Sequence, residues 1–153
     1  MQAAVARRSV DLSAYPDLVM VLLGFRVRGL RGLLSVLRIG RGLKAITRDR
    51  PDGLLEENLF LWGINHVGIR HYWRDLESLE RFTRSEPHIG WWRSFLKDNG
   101  GAGFWHEAYS RQGIEAVYLD MPPLGLATFA PERTPTGPFM TTRGRIEEDR
   151  AAA

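Results

Sequence analysis

The stretch Gly103-Phe-Trp-His-Glu-Ala-Tyr109 brings an imidazole, a carboxylate, a phenol and an indole into seven residues. Read as a strand, it projects Trp105, Glu107 and Tyr109 to one face and Phe104, His106 and Ala108 to the other. His106, between a phenylalanine and an alanine, is either buried and hydrogen-bonded or lines a pocket. An imidazole trades protons near neutral pH and can ligate a metal. Glu107 also reads as a plain edge-strand carboxylate facing water. A second cluster is Trp62, His66, Arg70, Tyr72 and Trp73. On a strand from His66 to Trp73, His66, Gly68, Arg70 and Tyr72 share one face, and Val67, Ile69, His71 and Trp73 share the other. All five tryptophans lie between positions 62 and 105. Such rings suit the walls of a cavity for a flat organic ligand, and they equally suit a core or a dimer interface.

Other chemistries lack their residues. There is no cysteine, which excludes disulfides, thiolate metal sites and a cysteine nucleophile. His66 and His71 point to opposite faces of a strand, no HExxH occurs, and no acidic cluster accompanies a histidine, so no metal site is expected. Phosphate-loop, dinucleotide and nucleophile-elbow motifs are absent. Gly40-Arg-Gly42 lies inside a helical pattern and not after a strand. Nucleic-acid binding on the sheet would need a Lys/Arg-Gly-Phe-type strand motif, and none is found.

The elements that position these residues follow from periodicity. Leu18 to Arg28 is apolar on both faces until Arg26, as in a central strand. Residues 31–48 change to helical spacing, with Leu33, Val36, Leu37, Gly40, Leu43 and Thr47 on one stripe and Arg31, Arg38, Arg41 and Arg48 opposite. Gly40 in that stripe predicts a close approach of helix to sheet. Strands at Leu59–Trp62 and His66–Trp73 flank a hairpin connection at Gly63–Asn65. Asp75 is placed to cap a helix 76–84. Glu86-Pro87 separates it from a helix 88–97 carrying Trp91-Trp92, which stops at Asn99-Gly-Gly101. A strand 103–110 then turns at Arg111–Gly113 into a last strand 114–120. Met121-Pro-Pro-Leu-Gly125 leaves the sheet. The order is that of a ferredoxin-like βαββαβ α+β fold with one extra strand.

The chain has 153 residues, of which 44% are apolar, enough for one domain with a core and too many for disorder throughout. Residues 1–16 read as a flexible arm, 17–128 as the domain, and 129–153 as an extended or mobile tail in which Phe139 and Met140 stand alone as large apolar neighbours. The net charge is +3, yet residues 26–50 hold eight bases and one acid, leaving the remainder at −4. That basic stretch reads as an anion-facing segment or as the solvated face of one helix. The longest uncharged apolar run of the chain, Leu18 to Phe25, is eight residues, against about 20 for a membrane helix, so neither a span nor a secretory leader is expected. The lack of cysteine suits a cytoplasmic location.

The opening strand with Leu22-Leu-Gly-Phe-Arg-Val27, Tyr72-Trp73-Arg74 before a helix, the Gly-Phe-Trp-His-Glu-Ala-Tyr strand, and the exit Met121-Pro-Pro-Leu-Gly125-Leu together carry a resemblance. Over residues 18–127 the chain resembles a monooxygenase-like family named after an oxygenase of the fumagillin pathway. The resemblance implies a ferredoxin-like subunit that pairs through its sheet as a homodimer, the dimeric α+β barrel. Its relatives include antibiotic-biosynthesis monooxygenases, which oxidise electron-rich aromatic substrates of secondary metabolism without metal or flavin, and haem proteins of the aldoxime dehydratase and chlorite dismutase type. Tyr72, Trp73, Trp105, His106, Glu107 and Tyr109 match its motifs. Gly63-Ile-Asn-His66 and the polar tail depart from them.

Three functions are therefore expected in order. The first is oxidation of an aromatic or enolisable small molecule with no cofactor, the substrate held among Trp62, Trp73, Trp91, Trp105 and Tyr109. There His106 acts as base, and Arg70 or Tyr72 stabilises the oxyanion. The second is a haem enzyme with His106 or His66 as axial ligand and Arg26 and Arg28 near the propionates. The third is a non-catalytic dimeric ligand-binding module.

Overall fold

Nine residues of alternating exposure, Val19–Val27, form a strand (β2) whose Val19 and Val21 are buried. β2 pairs antiparallel with His66–Trp73 (β4) from Val19↔Trp73 to Arg26↔His66. β4 pairs antiparallel in turn with Leu54–Gly63 (β3). Ala102–Ser110 (β5) closes the sheet on the other side of β2, giving the order β3-β4-β2-β5. With a helix Gly29–Asp49 (α1) after β2, and Leu76–Thr83 (α2) and His88–Lys97 (α3) between β4 and β5, this is the ferredoxin-like α+β fold. The computed structural model describes residues 6–119, 123, 125–134 and 142–152.

Local chemistry accounts for the boundaries. Asp75 sits in extended backbone and its Oδ1 accepts from Ser78 N at 2.6 Å, capping α2 as its sequence position predicts. The Ser78 side chain and amide, and then the Arg74 guanidinium, hold the Asp75 carboxyl down at about 2. The Ile64–Asn65 connection between β3 and β4 is tied to the end of β2, Val27 N donating to Asn65 O at 2.8 Å. Asn99 Oδ1 and Asp98 Oδ1 accept from Gly101 N and Gly100 N after α3, where both glycines take positive φ.

The chain divides into two compact units, residues 19–109 and residues 1–18 with 110–153. The first carries the sheet above. Its core is Val19, Val21, Leu54, Trp73 and Leu79, with Leu23, Phe82 and Trp91 packed against it. The second contains Arg7–Val10 (β1), Val117–Leu119 (β6), a short 3-10 helix Gly125–Thr128, Glu132–Arg133 (β7) and a helix Thr142–Ala152 (α4). β1 lies between β6 and β7, paired antiparallel to both, and Tyr15 donates its hydroxyl to Phe129 O at 3.0 Å.

Four sequence expectations change. The strand after the Arg111–Gly113 turn is shorter than 114–120, and it joins β1 and not the main sheet. Turn chemistry sets a reversal but not the partner, and the partner here lies over a hundred residues away. The segments read as arm and tail hold the paired strands β1 and β7 and the helix α4. Gly40 has nothing within 4 Å of where a Cβ would stand, whereas Gly32 makes the close approach: a Cβ there would stand 2.6 Å from Gly101 O. Leu33 and Leu37, expected in a buried stripe, are exposed, as are Leu30 and Leu34. Helical spacing tells which residues share a face, and only packing tells which face is covered. The side chains of Val36, Arg38, Leu43 and Thr47, and residues Asp120, Met121, Pro122, Leu124, Phe139 and Met140, lie outside what is described. Among the described residues no helix is long and apolar enough to cross a membrane.

Candidate functional site

Alternation along the strands splits the expected site residues between the two faces of the sheet. On the face covered by α2 and α3 lies a cavity of about 730 Å³ within the unit 19–109. Its floor is Val21, Leu23 and Phe25 of β2, Ile69 and His71 of β4, and Phe104 and His106 of β5. Leu79, Phe82 and Thr83 of α2 close one side. His88, Trp91, Trp92, Ser94 and Phe95 of α3 close another, with Asp98 and Asn99 at its end. The rings interlock around Phe104, whose centroid is 5.1 Å from Phe25, 5.5 Å from Trp92 and 5.8 Å from Phe95.

Three of the four histidines line this cavity, each with different surroundings. His71 is 4% exposed and its Nε2 is 2.7 Å from Glu57 Oε2, both side chains being buried. An ionised carboxylate only accepts, so Nε2 carries the hydrogen and donates it. His88, half-buried on the first turn of α3, directs Nδ1 at Thr83 O, 3.1 Å away. Donation to that carbonyl leaves Nε2 with its lone pair. Burial pushes the His88 pKa down; the Thr83 carbonyl opposes this, and charge on His106 and His71 adds to it. His106 stands exposed at the rim with its ring 6.4 Å from Phe104, and partial burial and then the neighbouring His71 lower its pKa.

The lowered pKa values make a pH prediction. Both imidazoles bind protons less readily folded than unfolded, so the unfolded chain takes up more protons below its histidine pKa of about 6.5. Stability from this source is complete above that pH and is lost as pH falls toward the lower folded values. The Tm, followed by circular dichroism, is level from about pH 8 to 7 and falls from about pH 6.5 to 5, with a smaller fall in His88→Gln. A level Tm down to about pH 5 in the wild type would contradict the depressed values.

The opposite face carries the other expected residues. Trp105 Nε1–H donates to His66 Nε2 at 2.6 Å, and the two rings lie over Gly24, where a Cβ would come within 2.3 Å of Trp105 Nε1. Trp62 packs edge-on at 5.4 Å from Trp105 and is 61% exposed. Arg70 donates from Nε and Nη2 to Asn58 Oδ1 and lies 5.2 Å above the Tyr72 ring. Tyr109 donates its hydroxyl to Glu107 and is exposed. Of the expected set, His106 and Trp91 thus line the cavity, and Trp73 is fully buried beside it, 5.1 Å from Phe82 and 6.0 Å from His71. Arg70, Tyr72, Trp62, Trp105, Tyr109 and His66 lie across the sheet from them. Arg70 and Tyr72 are therefore not placed to stabilise an oxyanion beside His106. His66 does not offer Nε2 to an iron, because an indole N–H only donates and occupies that lone pair.

Sequence reasoning missed His71, His88, Trp92 and Glu57. His71 was readable as an inward residue from the strand's alternation, but its partner was not. Counted back from Gly63↔His66, an unbroken ladder sets Asn58 opposite His71; the irregularity between Leu61 and Gly63 sets Glu57 there. Among the described residues no group of three or more His, Asp or Glu could hold a metal ion.

The profile of the monooxygenase af470-like family matches residues 18–126. An aliphatic aldoxime dehydratase of Rhodococcus globerulus is 31% identical over 118 residues, which are 71% of this chain and 33% of that protein. A crystal structure of an aldoxime dehydratase in complex with butyraldoxime superposes with TM-score 0.70 at 20% identity, covering 97% of this chain and 44% of the other. A conserved protein of Bacteroides thetaiotaomicron superposes with TM-score 0.50 at 13% identity, covering 62% of this chain and 98% of that one. The chain spans about a third of its curated relative and under half of the dehydratase structure. These structural likenesses show the fold.

Proposed function

From the premise that this chain belongs to the monooxygenase af470-like family, we propose that it oxidises an aromatic or enolisable small molecule in the cavity between the sheet and helices α2 and α3. The observation that carries this reading is the cavity itself. Its volume of about 730 Å³ suits a multi-ring organic guest, and its wall is aromatic and aliphatic except for three imidazoles, Thr83 and a polar end at Ser94, Asp98 and Asn99.

The chemistry asked of the wall is proton removal. An imidazole takes the acidic proton of a phenol or of an activated CH₂ group, which requires a neutral ring near the working pH. Burial, partial at His106, lowers the pKa of both His88 and His106 and so favours the neutral ring. The electron-rich anion then reduces dioxygen, the co-substrate, and combines with it as a hydroperoxide. Loss of water leaves a carbonyl, so a CH₂ group and one O₂ give C=O and one H₂O with no outside reductant. The apolar floor of Val21, Leu23 and Phe25 keeps bulk water from the anion.

A second reading, a haem enzyme acting on aldoximes, is supported by His88 and by the dehydratase relative. Donation of Nδ1–H to a backbone carbonyl, with Nε2 left toward a cavity, is how histidines that ligate metals are held. His88 joins His106 as a residue that would hold the group, His66 being engaged by Trp105, and bound haem would supply a redox-active iron. We also propose pairing of two copies through the sheet face opposite the cavity, on which Trp62 is exposed.

One experiment addresses both readings. Purified, metal-free, colourless protein consumes one O₂ per substrate turned over from a panel of hydroquinones and anthrones, measured with an oxygen electrode beside an absorption spectrum. No uptake across the panel sinks the oxygenase reading. A Soret band on adding hemin that His88→Ala removes establishes the haem reading instead. Neither result leaves a ligand-binding module.

A further inference from the structure

Among the described residues of the unit 19–109, His71 and Glu57 form the most deeply buried contact between a histidine and a carboxylate, and the oxidation described above does not specify it. The two side chains are 5% and 7% exposed and meet at 2.7 Å. Burying a carboxylate this far is costly unless it is hydrogen-bonded, and here an imidazole N–H donates to it at the wall of an apolar cavity. Glu57 occupies Nε2, so the nitrogen His71 has left for a guest is Nδ1.

We infer that His71 and Glu57 form a proton-accepting pair that selects guests bearing an acidic hydroxyl, phenols and enols, and holds them as anions. The inference rests on the cavity being the substrate site and names the class of molecule it takes. The guest's O–H gives its proton to His71 Nδ1. The imidazolium that forms lies between the carboxylate on one side and the new phenolate on the other. No net charge enters or leaves: one neutral imidazole and one phenol become a cation and an anion. Glu57 is a positioning residue. It fixes the tautomer and stabilises the cation at 2.7 Å, while its repulsion of the phenolate acts across the width of the ring. The other ionisable groups on the cavity are His106 from β5, His88 from α3 and Asp98 at the end of α3. Asp98 is already paired with Arg31 at 3.2 Å, and neither histidine has a carboxylate partner among the hydrogen bonds described. This distinguishes His71 from the other two imidazoles: it alone is built to keep a positive charge inside the wall.

The test uses para-nitrophenol, whose phenolate absorbs in the visible, and nitrobenzene as the same ring without the hydroxyl. Binding of each is followed by quenching of tryptophan fluorescence, and ionisation of bound para-nitrophenol by its absorbance against pH. The wild type binds both, and bound para-nitrophenol ionises about one pH unit lower than free, a roughly tenfold preference for the anion. Glu57→Gln still binds nitrobenzene but loses that shift, and Glu57→Asp restores part of it. The inference is overturned if wild-type protein binds para-nitrophenol with no shift, a result that needs no variant to fold. It is also overturned if the shift survives Glu57→Gln and disappears in His106→Gln. In both cases the cavity reading stands. If neither probe binds the wild type, that reading falls too.

Discussion

Trp73→Ala lowers the Tm by roughly 6–20 °C, since loss of a buried tryptophan costs about 3–5 kcal/mol and each kcal/mol moves a chain of this size by about 2–4 °C. Trp73 is the largest fully buried side chain, and Val19, Val21, Leu54 and Leu79 enclose it. All four belong to rigid strands or to α2, so the site cannot collapse to fill the void, and the cost falls toward the upper end. Its indole Nε1 is buried with no hydrogen-bond partner among the described residues, a penalty the folded state already carries. Trp73→Phe removes that orphan donor while keeping most of the contacts, so it costs much less than the alanine variant. Two ring neighbours of Trp73, His71 and Phe82, line the cavity, so the alanine variant also weakens nitrobenzene binding at temperatures where it remains folded. Thermal unfolding of the three proteins by circular dichroism decides the matter; equal midpoints for Ala and Phe variants would mean that the void is not the cost.

Gly53→Ala is expected to be nearly as damaging despite adding one methyl group. Gly53 has φ of +85°, a region that costs an L residue about 1–2 kcal/mol. The added Cβ would also stand 2.2 Å from Ser78 Cβ and 2.4 Å from its Oγ. Ser78 has no room to give: it is fully buried, its amide donates to Asp75, and its Oγ accepts from Arg74 at 3.0 Å and Arg81 at 3.3 Å. Overpacking of this kind adds about 1–3 kcal/mol. Because the displaced group is the capped first turn of α2, the damage reaches Leu79 and Phe82 on the cavity side. Gly63→Ala is the control, since it meets only His66 Cβ at 4.0 Å and has no positive φ, and its Tm stays within a few degrees of wild type. Similar losses in the two variants would overturn the account.

Much of the main unit was readable residue by residue. Periodicity places β2, β4, β5 and the three helices close to their observed limits, because each depends on interactions within a few residues. The Asp75 cap, the Ile64–Asn65 connection and the glycine stop at 100–101 are of the same kind. Alternation along β4 and β5 also separates Arg70 and Tyr72 from His71, and Trp105 and Tyr109 from Phe104 and His106. The expected site nonetheless draws on both faces, because alternation tells which residues share a face and not which face the helices cover to enclose a pocket.

The sequence by itself determined the βαββαβ order, the face to which the residues of β4 and β5 point, and the supply of aromatic rings and imidazoles around positions 62–106. The tertiary structure decided which face α2 and α3 cover, and hence that His71, His88 and His106 share a cavity while His66 is engaged by Trp105. It also decided that Glu57 meets His71 and that β6 pairs with β1. The physical reason is the same in each case. Backbone alternation and capping are short-range and are written in neighbouring residues, whereas a ladder irregularity, the choice of a strand partner and the coverage of a face are settled only when distant segments compete for the same space.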